Sequence, residues 1–264
     1  MVRVAETPVL VRLYFGSHGF LVGLTRFLSL IHNGFWLGVL SREQLHSISE
    51  KAYQRNRKYW TDDYNKSGLW GWESRVVERH FAGCKRVLLA AAGGGREVLA
   101  LRRLGFEVDG FEANPGLVRV ANELLQREGF APDIKLAAWD ESPDYEGTYE
   151  GIIVGWGAYT HIRGKDKRVA FLRSLRERVG VGAPILLSFH GMNGNSGFLL
   201  RVSRIGNLVA RMLSRDRIEV GDRLIPDYAH FFSRQQVDSE LRESGFELVA
   251  FETAEYGHAI GRAV

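Results

Sequence analysis

The sequence predicts an α/β fold: seven strands in a mostly parallel sheet, helices on both faces, an antiparallel last strand and an N-terminal helical cap. Three observations carry this. Between residues 86 and 189, short apolar runs alternate with amphipathic stretches, the signature of parallel strands buried on both faces and joined by crossover helices. The runs at 246–251 and 258–263 are joined by a turn too short to cross a sheet, so that pair is antiparallel. Residues 1–80 are helical in pattern and rich in aromatic side chains.

Each element has its own warrant. Val87-Leu-Leu-Ala-Ala91 is a continuous apolar run that ends at glycines, a first strand. From Arg96, apolar residues at Val98, Leu99, Leu101 and Leu104 recur at helical spacing, and Gly105 closes the helix. Residues 106–111 form the second strand. Asn114-Pro115 then supplies an N-cap and a proline at the first helical position, opening a helix that ends near Gly129. Strands follow at 134–138 and 151–155, an amphipathic helix at 165–178 and a fifth strand at 184–189. Ser233 and Gln236 have the spacing of a capping box for a helix to Ser244, which Gly245 ends. The expected domains are a cap at 1–80 and a core at 81–264. Within the core, an inserted lid at 191–226 holds a helix whose arginines (Arg201, Arg204, Arg211, Arg215) can share one side.

Composition narrows the class. The 264 residues are 45% apolar and 25% charged, as in an ordinary soluble domain. One cysteine, Cys84, excludes an intramolecular disulfide and a cysteine-built zinc site, and fits a reducing, cytoplasmic compartment. No metal-ligand spacing stands out. A net charge of +4 is too mild to announce nucleic acid. The apolar stretch 8–40 is interrupted by Arg12, His18, Arg26 and His32. Its uncharged stretches fall short of the ~18–20 residues of a membrane span, so buried or amphipathic helices are expected there, with peripheral membrane contact as the second reading.

The chemistry-bearing motif is Gly93-Gly94-Gly95, where the first strand turns into the first helix. A ligand can approach backbone without side chains, and the helix N–H groups face it. Glu112 ends the second strand, where an acid can accept hydrogen bonds from both hydroxyls of a ribose. Together these form a nucleoside-binding arrangement. A dinucleotide would want glycine where Val98 stands.

On these residues the chain from about 86 to 264 resembles the class I S-adenosylmethionine-dependent methyltransferases, which are Rossmann-like. Val87-Leu-Leu-Ala-Ala-Ala-Gly-Gly-Gly95 stands where that family has its glycine-rich first loop, and Phe106-Glu-Val-Asp-Gly-Phe-Glu112 where it has the ribose acid. Ala138-Trp139-Asp140 resembles the adenine-binding segment, and the stretch from Ile152 to Ile162, with Gly155-Trp156, the segment under the methionine part. Residues 232–246 resemble the last helix of the family. The resemblance implies S-adenosylmethionine as cofactor and S-adenosylhomocysteine as product. It implies binding through Ala91, Gly93, Gly94, Gly95, Glu112, Ala113, Trp139, Asp140, Gly155 and Trp156. Leu89 replaces the common strand acid and Ala91 the first glycine, which leaves the methionine amino group to a backbone carbonyl or the N-terminal segment. In the family the segment before the first strand often folds over the cofactor; here it is the aromatic run from Tyr59 to Glu73.

Methyl transfer needs a base only when the acceptor must lose a proton. His190, His161 and His230 lie near strand ends and are the candidates; with them, a small organic acceptor methylated at oxygen is expected. Two other classes share these features: an NAD-dependent oxidoreductase, and a non-catalytic membrane-peripheral protein of the same fold. The acceptor, the atom methylated and the oligomeric state are not written in the sequence.

Overall fold

The computed structural model describes residues 8–264, and the chain divides into two compact units. The larger, Arg42–Asn195 with Leu224–Val264, holds the sheet. Strands β1 (Arg86–Ala90), β2 (Glu107–Glu112), β3 (Lys135–Leu136), β4 (Gly151–Val154) and β5 (Pro184–Gly191) are parallel, in the order β3-β2-β1-β4-β5. Two later short strands are β6 (Asp222–Leu224) and β7 (Tyr228–Phe232). The sheet is completed by β8 (Phe246–Glu252) and β9 (Gly257–Ala263): β9 runs antiparallel between β5 and β8. The seven expected strands, with the antiparallel last one, are present within a nine-stranded sheet that also takes in β6 and β7. The boundaries of those seven fall within two residues of those read from the sequence. Of the two additions, β7 pairs in parallel with the far end of β5 through His190 and Phe231.

Alternation within β1 explains its unbroken apolar run. Leu88 and Ala90 enter one core with Ile152, Val154, Ile185 and Leu187. Val87 and Leu89 enter the other with Ile153, Leu186 and Ile260. Both faces are covered, so neither position tolerates a polar residue. Around the sheet lie α5 (Arg96–Arg103), α6 (Pro115–Arg127), α7 (Lys165–Arg176) and α9 (Arg234–Glu243), preceded by α2 (Arg42–Arg55), α3 (Asp62–Asn65) and α4 (Gly71–His80). The Asn114 side chain caps α6 by accepting from the N–H groups of Gly116 and Leu117, and Ser233 with Gln236 forms the capping box of α9. Arg168 and Glu240, both fully buried, pair between α7 and α9 at 2.7 Å, and Tyr159 donates to the same carboxylate at 2.6 Å.

The smaller unit, Met1–Ser41 with Ser196–Arg223, is built on α1 (Val9–Val39) and α8 (Ser196–Met212). The helices approach closely at α1 glycines: a Cβ on Gly38 would lie 2.6 Å from the Gly206 carbonyl. Two expectations change here. The expected cap 1–80 divides at residue 41, its second half joining the sheet unit, and the insertion helix pairs with α1. The expected buried or amphipathic helices of 8–40 are one 31-residue helix whose residues from Val9 to Leu28 are all exposed. Neither arginine breaks it, because arginine is a good helix former and side-chain charge leaves the backbone ladder intact.

Candidate active site

The site is built at the carboxyl ends of the parallel strands, where an α/β sheet opens a crevice. At its centre Glu112 ends β2, 6% exposed. The Gly93 N–H donates to its Oε2 and the Asn114 N–H to its Oε1, each at 2.9 Å. The glycine loop and the acid are thus bonded to each other and fixed in place. Burial raises the Glu112 pKa, against the N–H groups of Asn114, Gly93 and Ala113, which favour the anion.

The three glycines have different work. Gly93 and Gly94 line a small cavity of about 60 Å³ together with Glu112, Leu117 and Trp139. Gly94 admits no side chain: a Cβ there would lie 2.4 Å from Asn65 Nδ2 and 2.6 Å from the Tyr59 carbonyl. Gly95 starts α5 at φ +96° and packs against Ala121 of α6, so its role is structural. Ala91, at φ +58°, lines this cavity. Ala91 also lines the adjoining pocket that takes in Ala113. Gly155 lets β4 approach the Ala91 carbonyl to 2.6 Å of a would-be Cβ, and the following Trp156 lines the cavity while its N–H donates to Glu97 at 2.9 Å.

The segment before β1 does fold over the loop. Tyr53, Tyr59, Tyr64 and Asn65 form the cavity's other wall. Asn65 is 1% exposed, donates to the Tyr59 carbonyl at 3.0 Å, and leaves its Oδ1 without a hydrogen-bond partner. Tyr53 packs on Tyr59, Trp139 and His161 with ring centroids 5.6–5.8 Å apart. The Lys58 ammonium lies over Tyr64, Trp70 and Trp156 at 4.7–5.8 Å, a wall suited to cations.

Beyond Tyr53 and Tyr59 the crevice opens into a cavity of about 640 Å³ that holds His161, His190 and Asp227. His161 Nδ1 lies 2.9 Å from the Tyr228 carbonyl and 3.8 Å from Asp227. A carbonyl only accepts, so Nδ1 carries the proton and Nε2 is the basic nitrogen. Burial lowers the pKa of His161. His190, held by its N–H to the Thr160 hydroxyl and stacked on Phe231, is lowered by burial and by His161 to about 4. Burial thus works against the charged form of both imidazoles. Asp227 is raised, chiefly by burial.

Two expected residues stand elsewhere. His230 is fully buried, in contact with Phe232 and 3.2 Å from Gln236, so it is a packing residue and not a base open to an acceptor. Its position on the inward side of β7, a strand the sequence did not disclose, accounts for the difference. Asp140 lines a neighbouring pocket of about 320 Å³ and pairs with Lys167 at 3.0 Å; Trp139, not Asp140, faces the Glu112 cavity. Among the lining residues that escaped the sequence reading as site residues are Tyr53, Asn65, Glu97 and Asp227. Only Glu97 had a local signal, as an acid in the first turn after the glycines. Burial raises its pKa to about 7 despite Arg96 beside it.

No family model matches the sequence, and no curated relative does. Solved structures do match in fold. One is a SAM-dependent methyltransferase from Methanosarcina mazei (TM-score 0.57, 16% identity, 75% of this chain and 99% of that one). Another is the amino pentose methyltransferase CalS10 of Micromonospora echinaspora, with SAM bound (0.55, 15%, 82% and 97%). A third is the 1,6-didemethyltoxoflavin-N1-methyltransferase of Burkholderia thailandensis, with S-adenosylhomocysteine bound (0.58, 16%, 86% and 92%).

The chain shares the fold of these methyltransferases. Within that methyltransferase fold, the Glu112 cavity lies at the carboxyl ends of β1 and β2, and the histidine cavity lies toward β5 and β7.

The residues fit an adenosyl cofactor on their own chemistry. Glu112 offers a fixed acceptor for ribose hydroxyls, the bare backbone at Gly93, with open space where a side chain would stand, admits close approach, and Asn65 Oδ1 is a buried acceptor with no donor in the protein.

Proposed function

We propose that this chain is an S-adenosylmethionine-dependent methyltransferase that acts on a small organic acceptor, with transfer to oxygen. The observation that carries the reading is the Glu112 carboxylate bonded to the Gly93 N–H in a cavity that shares Tyr53 and Tyr59 with a larger one holding His161 and His190. When bound, S-adenosylmethionine supplies a methyl group on a sulfonium, an already activated leaving group. Glu112 would hold the ribose, and Asn65 Oδ1 would accept from an amino group, which answers the missing strand acid at Leu89. This supports the N-terminal segment as the partner of the methionine end.

The protein's own work is then to orient an acceptor and take a proton. His161 Nε2 is the better base, because the Tyr228 carbonyl fixes its tautomer and the Asp227 carboxylate at 3.8 Å stabilises the charge it gains. Tyr53 and Tyr59 stand between the two cavities and line both. The neighbours named as sugar and toxoflavin methyltransferases support a small acceptor. The test is S-adenosylhomocysteine release across a panel of phenols, sugars and hydroxylated heterocycles. Turnover that His161→Gln lowers by about 100-fold or more, the usual size of general-base catalysis, supports the reading. Turnover on amines alone, unaffected by His161→Gln, removes the oxygen assignment.

A further inference from the structure

The smaller unit carries a surface that the methyltransferase reading leaves unused. In α1, Val9 to Leu28 is exposed throughout, including Leu10 at 79%, Phe20 at 69% and Phe27 at 57%. Isolated apolar residues on a surface are ordinary, but a contiguous apolar helix is not. A helix apolar on most sides belongs in a protein core or in a membrane, and only the far end of α1, at Asn33, Gly34, Leu37 and Gly38, is buried. Twenty residues rise about 30 Å, the thickness of a bilayer's hydrocarbon core. The stretch holds no lysine or acid, and Arg12 and Arg26 near its two ends can extend their guanidinium groups toward the headgroups.

Charge argues for the same occupant. Met1–Ser41 and Ser196–Arg223 contain nine arginines against four acids, while the rest of the chain carries 26 basic and 27 acidic residues. The whole positive excess of the protein therefore lies in the unit that bears the apolar helix. On α8, Val202, Ile205, Gly206 and Val209 meet α1 at Gly34 and Gly38. Arg201, Arg204 and Arg211 are exposed on the same helix with Leu208 and Met212, a basic and apolar mixture suited to a lipid interface.

We propose that this unit is a membrane anchor: the exposed part of α1 inserts into a bilayer of anionic lipid, and the α8 arginines meet its headgroups. A second copy of the chain, pairing through α1, is the competing occupant, but the charge excess would oppose that pairing.

The test is flotation of the purified full chain with vesicles of phosphatidylcholine alone or with 30% phosphatidylglycerol, read beside size-exclusion chromatography. Three forms are compared: wild type, Phe20→Glu/Leu24→Glu, and Arg204→Gln/Arg211→Gln. All four side chains are exposed, and S-adenosylmethionine affinity and circular dichroism report folding separately, so loss of the anchor is distinguishable from failure of the cofactor reading. The proposal expects wild type to float with the mixed vesicles and to stay bound in 1 M salt. It expects the glutamate variant to remain soluble and monomeric, and the arginine variant to lose about fivefold in partition per arginine on the anionic vesicles only. Wild type that fails to float, or that forms a discrete dimer dispersed by the glutamates, overturns it. Equal partition of the arginine variant and wild type on anionic vesicles overturns the headgroup half.

Discussion

Replacing Glu112 with glutamine tests the cofactor site at its best-defined contact. The carboxylate has about four acceptor positions, and the N–H groups of Gly93 and Asn114 occupy two of them at 2.9 Å. An amide keeps the volume but turns one oxygen into a donor. Either that NH2 opposes a backbone N–H, or it faces a ribose hydroxyl without the charge. A hydrogen bond to a charged group contributes about 1.5–3 kcal/mol. Loss of one such bond weakens S-adenosylmethionine by about 10- to 150-fold. Titration calorimetry with S-adenosylmethionine and S-adenosylhomocysteine measures this directly. The same loss should appear with both ligands, because Glu112 would touch the part they share. Glu112→Gln that unfolds near the wild-type temperature yet binds both ligands within about threefold of wild type would refute the argument that this carboxylate holds the nucleoside.

Other consequences are as specific. Gly94→Ala places a methyl group against the Tyr59 carbonyl and Asn65; it should cost about 1–3 kcal/mol by overpacking and loosen the 59–65 segment, read as faster proteolysis there. Glu240→Ala removes the carboxylate that faces the buried Arg168 guanidinium; denaturant unfolding should show a loss of about 3–5 kcal/mol. His190 titrates near 4 in the folded chain against about 6.5 unfolded. The unfolded state therefore binds more protons between those values, and the contribution of His190 to stability is complete above pH 6.5 and lost as the pH falls toward 4. In His190→Phe the midpoint of denaturation should depend less on pH within that window.

The sheet was legible because its information is local. Each parallel strand is buried on both faces, so β1, β4 and β5 read as unbroken apolar runs, and glycines mark where the chain turns. Gly93 and Glu112 were legible because a bare loop and an acid at neighbouring strand ends form a pattern in sequence. What the sequence concealed depends on folding back. The aromatic run from Tyr59 to Glu73 marked the segment that closes over Gly94, but not that Asn65 within it, or Tyr53 before it, would line the cavity. Asp227 gains its place from β7, whose aromatic residues Tyr228 to Phe232 give no alternation. His230 and His190 looked equivalent as histidines near strand ends, yet pairing with β5 turns one inward and leaves the other on the cavity. In α1 the two arginines suggested broken segments, whereas a helix continues through arginine without cost.

The central claim is that the Glu112 cavity binds an adenosyl sulfonium. Its most direct test is equilibrium binding of S-adenosylmethionine to the wild-type protein, with NAD as the competitor. The account predicts micromolar binding of S-adenosylmethionine, displaced by S-adenosylhomocysteine and unaffected by NAD. No binding of S-adenosylmethionine, or binding of NAD in its place, would contradict it.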